Sequence, residues 1–444
     1  MTIRMDEGAA ELLDTLHRAG YAAYVVGGCV RDSLLGLTPH DWDLCTSALP
    51  QQVMELFGAQ RCIPTGLQHG TVTVKQSGAL YEITTFRTEG TYTDGRHPDE
   101  VHFVPDVRED LARRDLTINA MAYNEKEGLV DPFGGQADLQ SGIVRAVGVP
   151  RQRFTEDALR ILRLYRFAAR FGFAIDPPTA QAAQELCAHL DCVSVERIEE
   201  ELAKLLAAPA PAAYLDKKIL LVILPELSSE ALAAAKPVVD ACPAGTEDLP
   251  MRWAALLMSL GEDGTRKALK RLRCSNTCIE QTAVLVREVH PGAFSSDTNW
   301  GIPSPALLPA AAGSHPPDGP QRNSRTGLGQ APAAPDTAIR IRKLLGRYDL
   351  HTVQRLAALG AAMEPEQAAD FAAQAELAAQ LDADGVCCRV SQLAVNGRDL
   401  MAAGIPAGPG LRRTLEALLD AVIRGQLPNE RKRLLDAAGQ ISAS

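Results

Sequence analysis

The stretch Tyr24-Val25-Val26-Gly27-Gly28-Cys29-Val30-Arg31-Asp32, followed shortly by Asp41-Trp42-Asp43, decides the fold of this chain. Its apolar run predicts a short strand, its glycine pair predicts a tight turn, and the residues from about Val30 predict a helix. Backbone N–H groups at such a turn point at any anion there, and Arg31 adds a charged fork. Gly28 and Arg31 are therefore candidate phosphate-binding residues, although a glycine pair considered alone is more often only a turn.

The Asp-Trp-Asp segment brings two carboxylates close together. We predict a strand over Asp41–Cys45, in which Asp41 and Asp43 point to one face and Trp42 turns to the core. Paired carboxylates suit hard Mg²⁺ ions, which can activate an attacking 3′-hydroxyl and stabilise a pyrophosphate leaving group. An isolated Asp-x-Asp is more often a turn cap and a solvated residue, but the preceding glycine turn favours the metal interpretation.

Glu82 is a third candidate carboxylate. It lies in a predicted strand over Tyr81–Phe86, from which it can face the two aspartates. An exposed strand residue paired with Arg87 or Lys75 is an equal alternative, so the catalytic role of Glu82 stays open at this point.

The composition is that of a soluble globular protein, with 46% hydrophobic and 23% charged residues in a chain of 444. With a formal charge of −10, a nucleic-acid-binding surface must come from locally clustered Lys and Arg. The chain shows no apolar run long enough for a membrane span and no signal-peptide pattern at its first residues. Its ten cysteines lack zinc-site or disulfide-framework spacing, so we expect a reduced, cytoplasmic protein without a membrane segment.

The alternation of elements predicts an α+β fold, in which a mixed sheet with helices is followed by helices alone after Phe154. We divide the chain into a catalytic head at residues 1–145, a neck at 146–205, a helical body at 206–375 and a helical tail at 376–444. Residues 294–335 interrupt the body with Pro, Gly, Ser and Ala, which cannot bury enough apolar surface to fold. We therefore predict a disordered insertion there.

Four further motifs follow in order along the chain. They are Arg113-Arg114-Asp115-Leu116-Thr117-Ile118-Asn119-Ala120, Asp131-Pro132-Phe133-Gly134-Gly135, Glu156-Asp157-Ala158-Leu159-Arg160 and Ser194-Val195-Glu196-Arg197-Ile198. Together with the first segments they resemble the class II tRNA nucleotidyltransferase and bacterial poly(A) polymerase family, of the polymerase-β nucleotidyltransferase superfamily. The resemblance covers most of the chain except the insertion, and it implies a polymerase-β-like head with an all-α neck, body and tail.

The resemblance also implies roles for the Arg-Arg-Asp motif. By analogy with the family, Asp115 accepts a hydrogen bond from a ribose hydroxyl, and Arg114 holds a phosphate as a bidentate fork. The alternative for this pair is a surface ion pair. Asn119 belongs to the same nucleotide-binding motif, where it can also simply brace the turn.

The motif at Glu156–Arg160 suits the reading of a base, on a helix that we expect to begin near Thr155. Asp157 can accept a hydrogen bond from the amino group of cytosine or adenine, and Arg160 can donate one to the neighbouring ring nitrogen. Uracil and guanine present the reverse pattern and would leave both side chains unpaired. In the family, Arg163 and Arg166 continue this pocket or reach the triphosphate; a solvated basic stripe is the alternative.

The predicted function is addition of C, C and A to the 3′ end of tRNA from CTP and ATP, with Mg²⁺ as cofactor and no obligatory protein partner. Residues Arg87–Val101 resemble the flexible loop of members that add the terminal A, which argues against a CC-only enzyme. A C-terminal His-Asp phosphohydrolase signature and a long basic extension are both missing from the sequence, which favours CCA addition. An A-adding enzyme or a bacterial poly(A) polymerase is the alternative.

A basic cluster in the helical body is the first candidate for gripping acceptor-stem phosphates. Its members are Arg266, Lys267, Lys270, Arg271 and Arg273. A solvated helix face is the alternative interpretation. A second candidate lies in the tail and consists of Arg412, Arg413, Arg431, Lys432 and Arg433.

Overall fold

The computed structural model of this chain describes residues 3–90, 101–289 and 335–442. Contacts divide the chain into two compact units, one of residues 1–249 with 267–275 and one of residues 250–266 with 276–444. The sheet lies in the first unit and the second is helical, which confirms the predicted α+β class. Among the described residues, no helix is both long and apolar enough to cross a lipid bilayer.

The described strands are β1 (Ala23–Val26), β2 (Leu44–Thr46), β3 (Cys62–Gly66), β4 (Thr71–Gln76), β5 (Ala79–Thr85), β6 (Arg87–Glu89), β7 (Val101–Phe103), β8 (Ala122–Asn124), β9 (Gly128–Val130), β10 (Ile143–Val144) and β11 (Ala174–Ile175). The described helices of the first unit are α1 (Glu7–Arg18), α2 (Gly28–Leu34), α3 (Pro50–Phe57), α4 (Val107–Ala112), α5 (Gly135–Ser141), α6 (Pro150–Glu156), α7 (Leu159–Phe171), α8 (Pro177–Leu186), α9 (Val195–Leu206), α10 (Lys217–Ile223) and α11 (Ser229–Ala241). Helices α12 (Leu249–Leu257) and α13 (Gly261–Arg271) cross the division between the units. The second unit continues with α14 (Asn276–Val289), α15 (Pro335–Arg347), α16 (Leu350–Met363), α17 (Ala368–Ala383), α18 (Gly397–Ala402), α19 (Pro409–Ile423) and α20 (Arg431–Ser442).

The seven-stranded sheet of the head has the order β3-β4-β5-β2-β1-β8-β9. Strand β2 runs antiparallel to β1 and parallel to β5, so the segment that enters β2 lies between these two neighbours. All four residues of β1 are buried, as its apolar sequence requires of a central strand. The face that carries Tyr24, Val26 and Cys45 packs with Phe86 and with Leu111 of α4 to form a hydrophobic core.

The strand predicted over Asp41–Cys45 was wrong in its first part, because β2 begins only at Leu44. In the ladder, Val25 faces Leu44, and the N–H of Val26 donates to the carbonyl of Asp43 at 2.9 Å. Beyond that bond β1 turns away at Gly27, whose φ is 78°, so the residues before Asp43 have no strand partner there. Asp41 and Asp43 are exposed, and Trp42 is half-buried instead of facing the core.

The second unit has its own hydrophobic core in the tail. Leu393, Leu400, Leu418 and Leu434 meet there from α18, α19, α20 and the segment before them. The Pro-rich stretch predicted as an insertion at residues 294–335 lies outside the described residues except for Pro335, where α15 begins.

Candidate active site

Arg114 lies directly over the glycine turn that joins β1 to α2. A Cβ on Gly27 would come within 3.0 Å of the Arg114 Nη1 atom, so glycine leaves room for the guanidinium as well as for the positive φ. The Nη2 atom of Arg114 donates to Asp110 at 3.3 Å. Its Nε is buried and has no hydrogen-bond partner among the described residues.

Arg31, the predicted charged fork, is only 4% exposed. Its Nε donates to Asp32 at 2.7 Å and its Nη1 donates to Asn119 at 2.5 Å. Its guanidinium also lies against the rings of Phe167 and Phe171, at 5.0 and 5.1 Å from their centroids. Gly28 begins α2 beside it. Arg31 therefore connects the glycine turn to α7 through contacts that the sequence did not indicate.

The three candidate carboxylates lie near enough for their charges to interact. Glu82 lies in β5, which confirms the predicted strand, and its side chain is exposed; Asp43 lies ahead of the neighbouring strand β2. The pKa of Asp43 is raised, chiefly by desolvation, further by the negative charges of Glu82 and Asp41, and against the opposing charge of Arg114. Repulsion of this kind disfavours the ionised form of Asp43 and would be relieved by a nearby cation.

This donor set fits a hard divalent cation. Asp41, Asp43 and Glu82 offer only oxygen atoms, which Mg²⁺ prefers, and a cation would relieve their repulsion. No three His, Cys, Asp or Glu side chains meet at metal-ligand spacing within residues 3–90, 101–289 and 335–442. A site that completes its coordination with triphosphate oxygens and waters needs fewer protein ligands than that.

Asp115 is the centre of a buried hydrogen-bond network. Its Oδ1 accepts from the Leu116 N–H at 2.8 Å and from Asn119 at 3.3 Å, and its Oδ2 accepts from Arg163 Nε at 2.7 Å. Burial alone would raise the pKa of Asp115, but the charge and hydrogen bond of Arg163 outweigh it and lower the pKa to about 2. The carboxylate is therefore ionised and oriented before any ligand arrives.

An Asp115→Asn variant is expected to lose about 2 kcal/mol of folding stability at pH 7, because the lowered pKa favours the folded state whenever the carboxyl is ionised. This contribution is present above the ordinary Asp pKa of 3.8 and disappears as the pH falls through about 2. Denaturant unfolding of both proteins between pH 7 and pH 2 measures it, with Asp14→Asn, an exposed carboxylate, as control. A wild-type advantage that did not shrink with acid would contradict the assignment.

The motif predicted to read the base, Glu156–Arg160, does not lie at the start of a single helix. Helix α6 ends at Glu156 and α7 begins at Leu159, so the helix start expected near Thr155 was wrong. Asp157 lies at the junction with extended backbone (φ −146°), and its Oδ1 accepts from the Leu159 N–H at 3.0 Å. Pro150 starts α6 early enough that Thr155 falls in its last turn.

Asp157 and Arg160 each have another partner. Asp157 accepts from Arg197 of α9 at 2.7 Å, and Arg160 donates to Glu156 at 2.7 Å. Arg160 is 9% exposed, so Glu156 balances a nearly buried charge. The structure thus brings the predicted pair to one junction but holds each member by a different neighbour.

One basic and one acidic residue of α9, Arg197 and Glu201, complete this region. Arg197, in the motif quoted above, orients Asp157. Glu201, which sequence reasoning missed, is 6% exposed and contacts Arg166 at 2.5 Å and Arg163 at 3.6 Å. The signal was a Glu among the buried positions of the amphipathic α9, where an unpaired carboxylate would be costly.

The predicted basic cluster is partly engaged by carboxylates. Arg266 contacts Glu262 at 3.0 Å and also Glu280, all in the second unit. In the first unit, Arg271 pairs with Glu226 at 2.8 Å, and Arg273 pairs with Glu196. Lys267 and Lys270 are exposed on α13, with no ion pair to the described residues. They are the members most available to an incoming phosphate.

Of the loop that resembles the flexible loop of A-adding members, residues 91–100 lie outside the described residues. The described flanks form the two-stranded ribbon of β6 and β7, in which Arg87 faces Phe103.

Three parts of this chain match known protein families. Residues 23–145 match the Poly A polymerase head domain, residues 172–230 match a probable RNA and SrmB-binding site of polymerase A, and residues 347–438 match tRNA nucleotidyltransferase domain 2, putative. The CCA-adding enzyme of Limosilactobacillus fermentum is 36% identical over 98% of this chain and 97% of its own length. That of Lactiplantibacillus plantarum is 34% identical over 99% and 97%. The crystal structure of the Bacillus stearothermophilus CCA-adding enzyme in complex with CTP is 30% identical, with a TM-score of 0.72 over 98% of both chains.

Proposed function

The chain belongs to the family of CCA-adding enzymes, and from this premise we propose that it adds C, C and A to the 3′ end of tRNA, using CTP and ATP and releasing pyrophosphate. The observation that carries the proposal is the 36% identity to a CCA-adding enzyme across 98% of the chain. A match of that extent includes head, neck, body and tail. We place the reaction in the cytoplasm, with its tRNA substrate.

We propose Mg²⁺ as the metal, held by Asp41 and Asp43 with Glu82 as the third carboxylate. When bound, such ions activate the tRNA 3′-hydroxyl and neutralise charge on the leaving pyrophosphate. The chain's own residues then orient the nucleotide. Arg114 donates from its guanidinium to a phosphate oxygen beside the glycine turn, and Asp115 accepts from a ribose hydroxyl.

We assign base selection to residues at the junction between α6 and α7. Arg197 keeps Asp157 turned toward an incoming base, where it accepts from the amino group of C or A. Arg160 exchanges its bond to Glu156 for one to the ring nitrogen. No base-paired template is needed, because the protein supplies both the acceptor and the donor.

Incorporation by the purified protein with Mg²⁺ tests this function on three tRNAs, which end at the discriminator base, after the first C, and after both Cs. Stepwise addition of C, C and A followed by arrest is the expected result. Extension of only the CC-ended tRNA would instead identify an A-adding enzyme, and a run of A residues would identify a poly(A) polymerase. Replacing Mg²⁺ with a chelator should abolish every incorporation.

A Lys267→Ala/Lys270→Ala variant is expected to bind tRNA more weakly and with a shallower salt dependence. Each lost phosphate contact removes about 0.9 from the slope of log affinity against log salt, so two contacts remove about 2. Titration of labelled tRNA at several salt concentrations measures the slope. Lys218→Ala, an exposed lysine on α10, is the matched control. An unchanged slope would direct attention to Arg413, Lys432 and Arg433 in the tail.

A further inference from the structure

Phe167 of α7 is surrounded by arginines from two elements. The guanidinium carbon of Arg166 lies 4.0 Å from the centroid of its ring, that of Arg31 lies 5.0 Å away, and that of Arg163 lies 5.6 Å away. All three lie within the distance at which a cation is attracted to an aromatic face. Phe167 is 5% exposed, so this attraction acts in a largely water-free setting.

The ring has a role that a carboxylate could not fill. A carboxylate partner occupies the N–H donors of a guanidinium, whereas an aromatic face holds its plane and leaves the N–H edge available for another acceptor. Two of these arginines, Arg163 and Arg166, are candidate nucleotide-binding residues. Both already contact carboxylates, Arg163 with Asp115 and Arg166 with Glu201, and the ring holds their guanidinium planes without occupying any further donor.

Of the three guanidinium groups, that of Arg166 lies nearest to the Phe167 ring. Its Nε approaches Glu201 at 2.5 Å, but the two atoms are too poorly aligned for a hydrogen bond. Arg163 by contrast has the well-formed bond to Asp115 at 2.7 Å. The Arg166 guanidinium is therefore held from two sides, by the ion pair with Glu201 and by the Phe167 ring 4.0 Å away.

Phe171 offers a natural comparison one helical turn later. Its ring stacks near that of Phe167, with centroids 6.2 Å apart and planes inclined by 10°. It contacts Arg31 at 5.1 Å and Arg170 at 4.9 Å. Phe171 thus contacts Arg31 and Arg170. Phe167 also contacts Arg31, but its other two contacts are with Arg163 and Arg166.

We infer that Phe167 is a positioning residue, whose ring holds Arg166 and Arg163 in the orientation that binds the incoming nucleotide and joins them to Arg31 below the glycine turn. This inference rests on the proposed function, because it takes CTP and ATP as the ligands of that site. It predicts an effect of Phe167 on nucleotide affinity. The rate of nucleotidyl transfer depends instead on the carboxylates of Asp41, Asp43 and Glu82.

The test is a series of variants in which the Phe167 ring keeps its shape and loses its negative face by stepwise fluorination. Fluorine withdraws electron density and weakens cation–π attraction without creating a cavity. Binding of CTP and ATP, measured by calorimetry without tRNA, is expected to weaken progressively, to about tenfold for the fully fluorinated ring. The value of kcat at saturating nucleotide should change much less than KM.

Phe167→Leu and Phe171→Leu are the matched pair of conventional variants. Phe167→Leu should lower nucleotide affinity about as much as full fluorination, and Phe171→Leu should lower it less. Thermal unfolding of each variant separates loss of folding from loss of binding. Affinity that stayed constant across the fluorinated series would overturn the inference. Addition of CCA by the wild-type protein is scored separately, so failure of the proposed function and failure of the inference are distinguishable.

Discussion

An Asp43→Asn variant is expected to lose roughly a thousandfold or more of the rate of nucleotide addition, while its binding of CTP without metal stays close to that of the wild type. The amide keeps the size of the side chain but offers no charge to a divalent ion. Removing one main electrostatic group from other active sites costs about 10²–10³ in kcat, and here the ion itself would be lost with it. Single-turnover incorporation at saturating CTP measures the rate. Asp41→Ala should behave in the same way, and a variant that kept full incorporation would refute the metal assignment.

The pH dependence of the same reaction gives an independent check. The pKa of Asp43 is raised by desolvation from the surrounding protein and by the charges of Glu82 and Asp41, so its ionised form should be lost at a higher pH than that of an ordinary aspartate. Glu82→Gln removes one of these charges and should move the acidic limb of the rate profile to lower pH. Asp14→Asn, which changes an exposed carboxylate on α1, should leave both the rate and the profile unchanged. An unmoved acidic limb in Glu82→Gln would separate Glu82 from the metal site.

An Asp157→Ala/Arg160→Ala variant is expected to lose most of its discrimination between CTP or ATP and UTP or GTP. A site built to hydrogen-bond its substrate rejects analogues with the wrong pattern by as much as about 10⁴–10⁵, because buried polar groups would be left unpaired. Alanine at both positions removes those groups and with them the penalty for the wrong base. Competition between the four nucleotides on a tRNA ending after both Cs measures the ratio. Fidelity that did not change would remove the templating role.

A variant of Arg197 tests how much of this selectivity depends on the orientation of Asp157. Arg197→Met removes the ion pair that orients Asp157 and leaves the carboxylate in place, so selectivity should fall less than in Asp157→Ala. Lys204→Ala, which breaks an exposed pair with Glu200 on the same helix, is the matched control and should keep full selectivity. Loss of selectivity in the control would indicate that any disturbance of α9 acts on the base site.

Much of the head could be predicted from local patterns. Helix α1 follows a local signal of this kind, because the Asp6 side chain accepts from the N–H groups of Gly8 and Ala9 as an N-cap. The apolar run at Tyr24–Val26 forms the buried strand β1. Short strands such as β8 and β9 were not predicted, because three residues carry too little periodicity to stand out from a loop.

The errors lie where a distant partner ends an element. Whether Asp41–Asp43 extends β2 depended on where β1 turns away, which is decided by Gly27 on another segment. The start of the base-reading helix depended on α6, which runs through Thr155 and ends before Asp157. A local pattern of caps and spacing holds no information on either partner.

The sequence by itself determined the family, the order of the motifs and the chemical types of the side chains that we propose bind metal, phosphate and base. Only the tertiary structure decided which distant polar groups pair: Asp157 with Arg197, Asp115 with Arg163, and the Arg31 guanidinium with the Asn119 amide 88 residues away. The physical reason is that any arginine can satisfy any carboxylate, so composition leaves many pairings open. Packing of α7 against α9 and the glycine turn selects one of them, and it places Phe167 among three guanidinium groups.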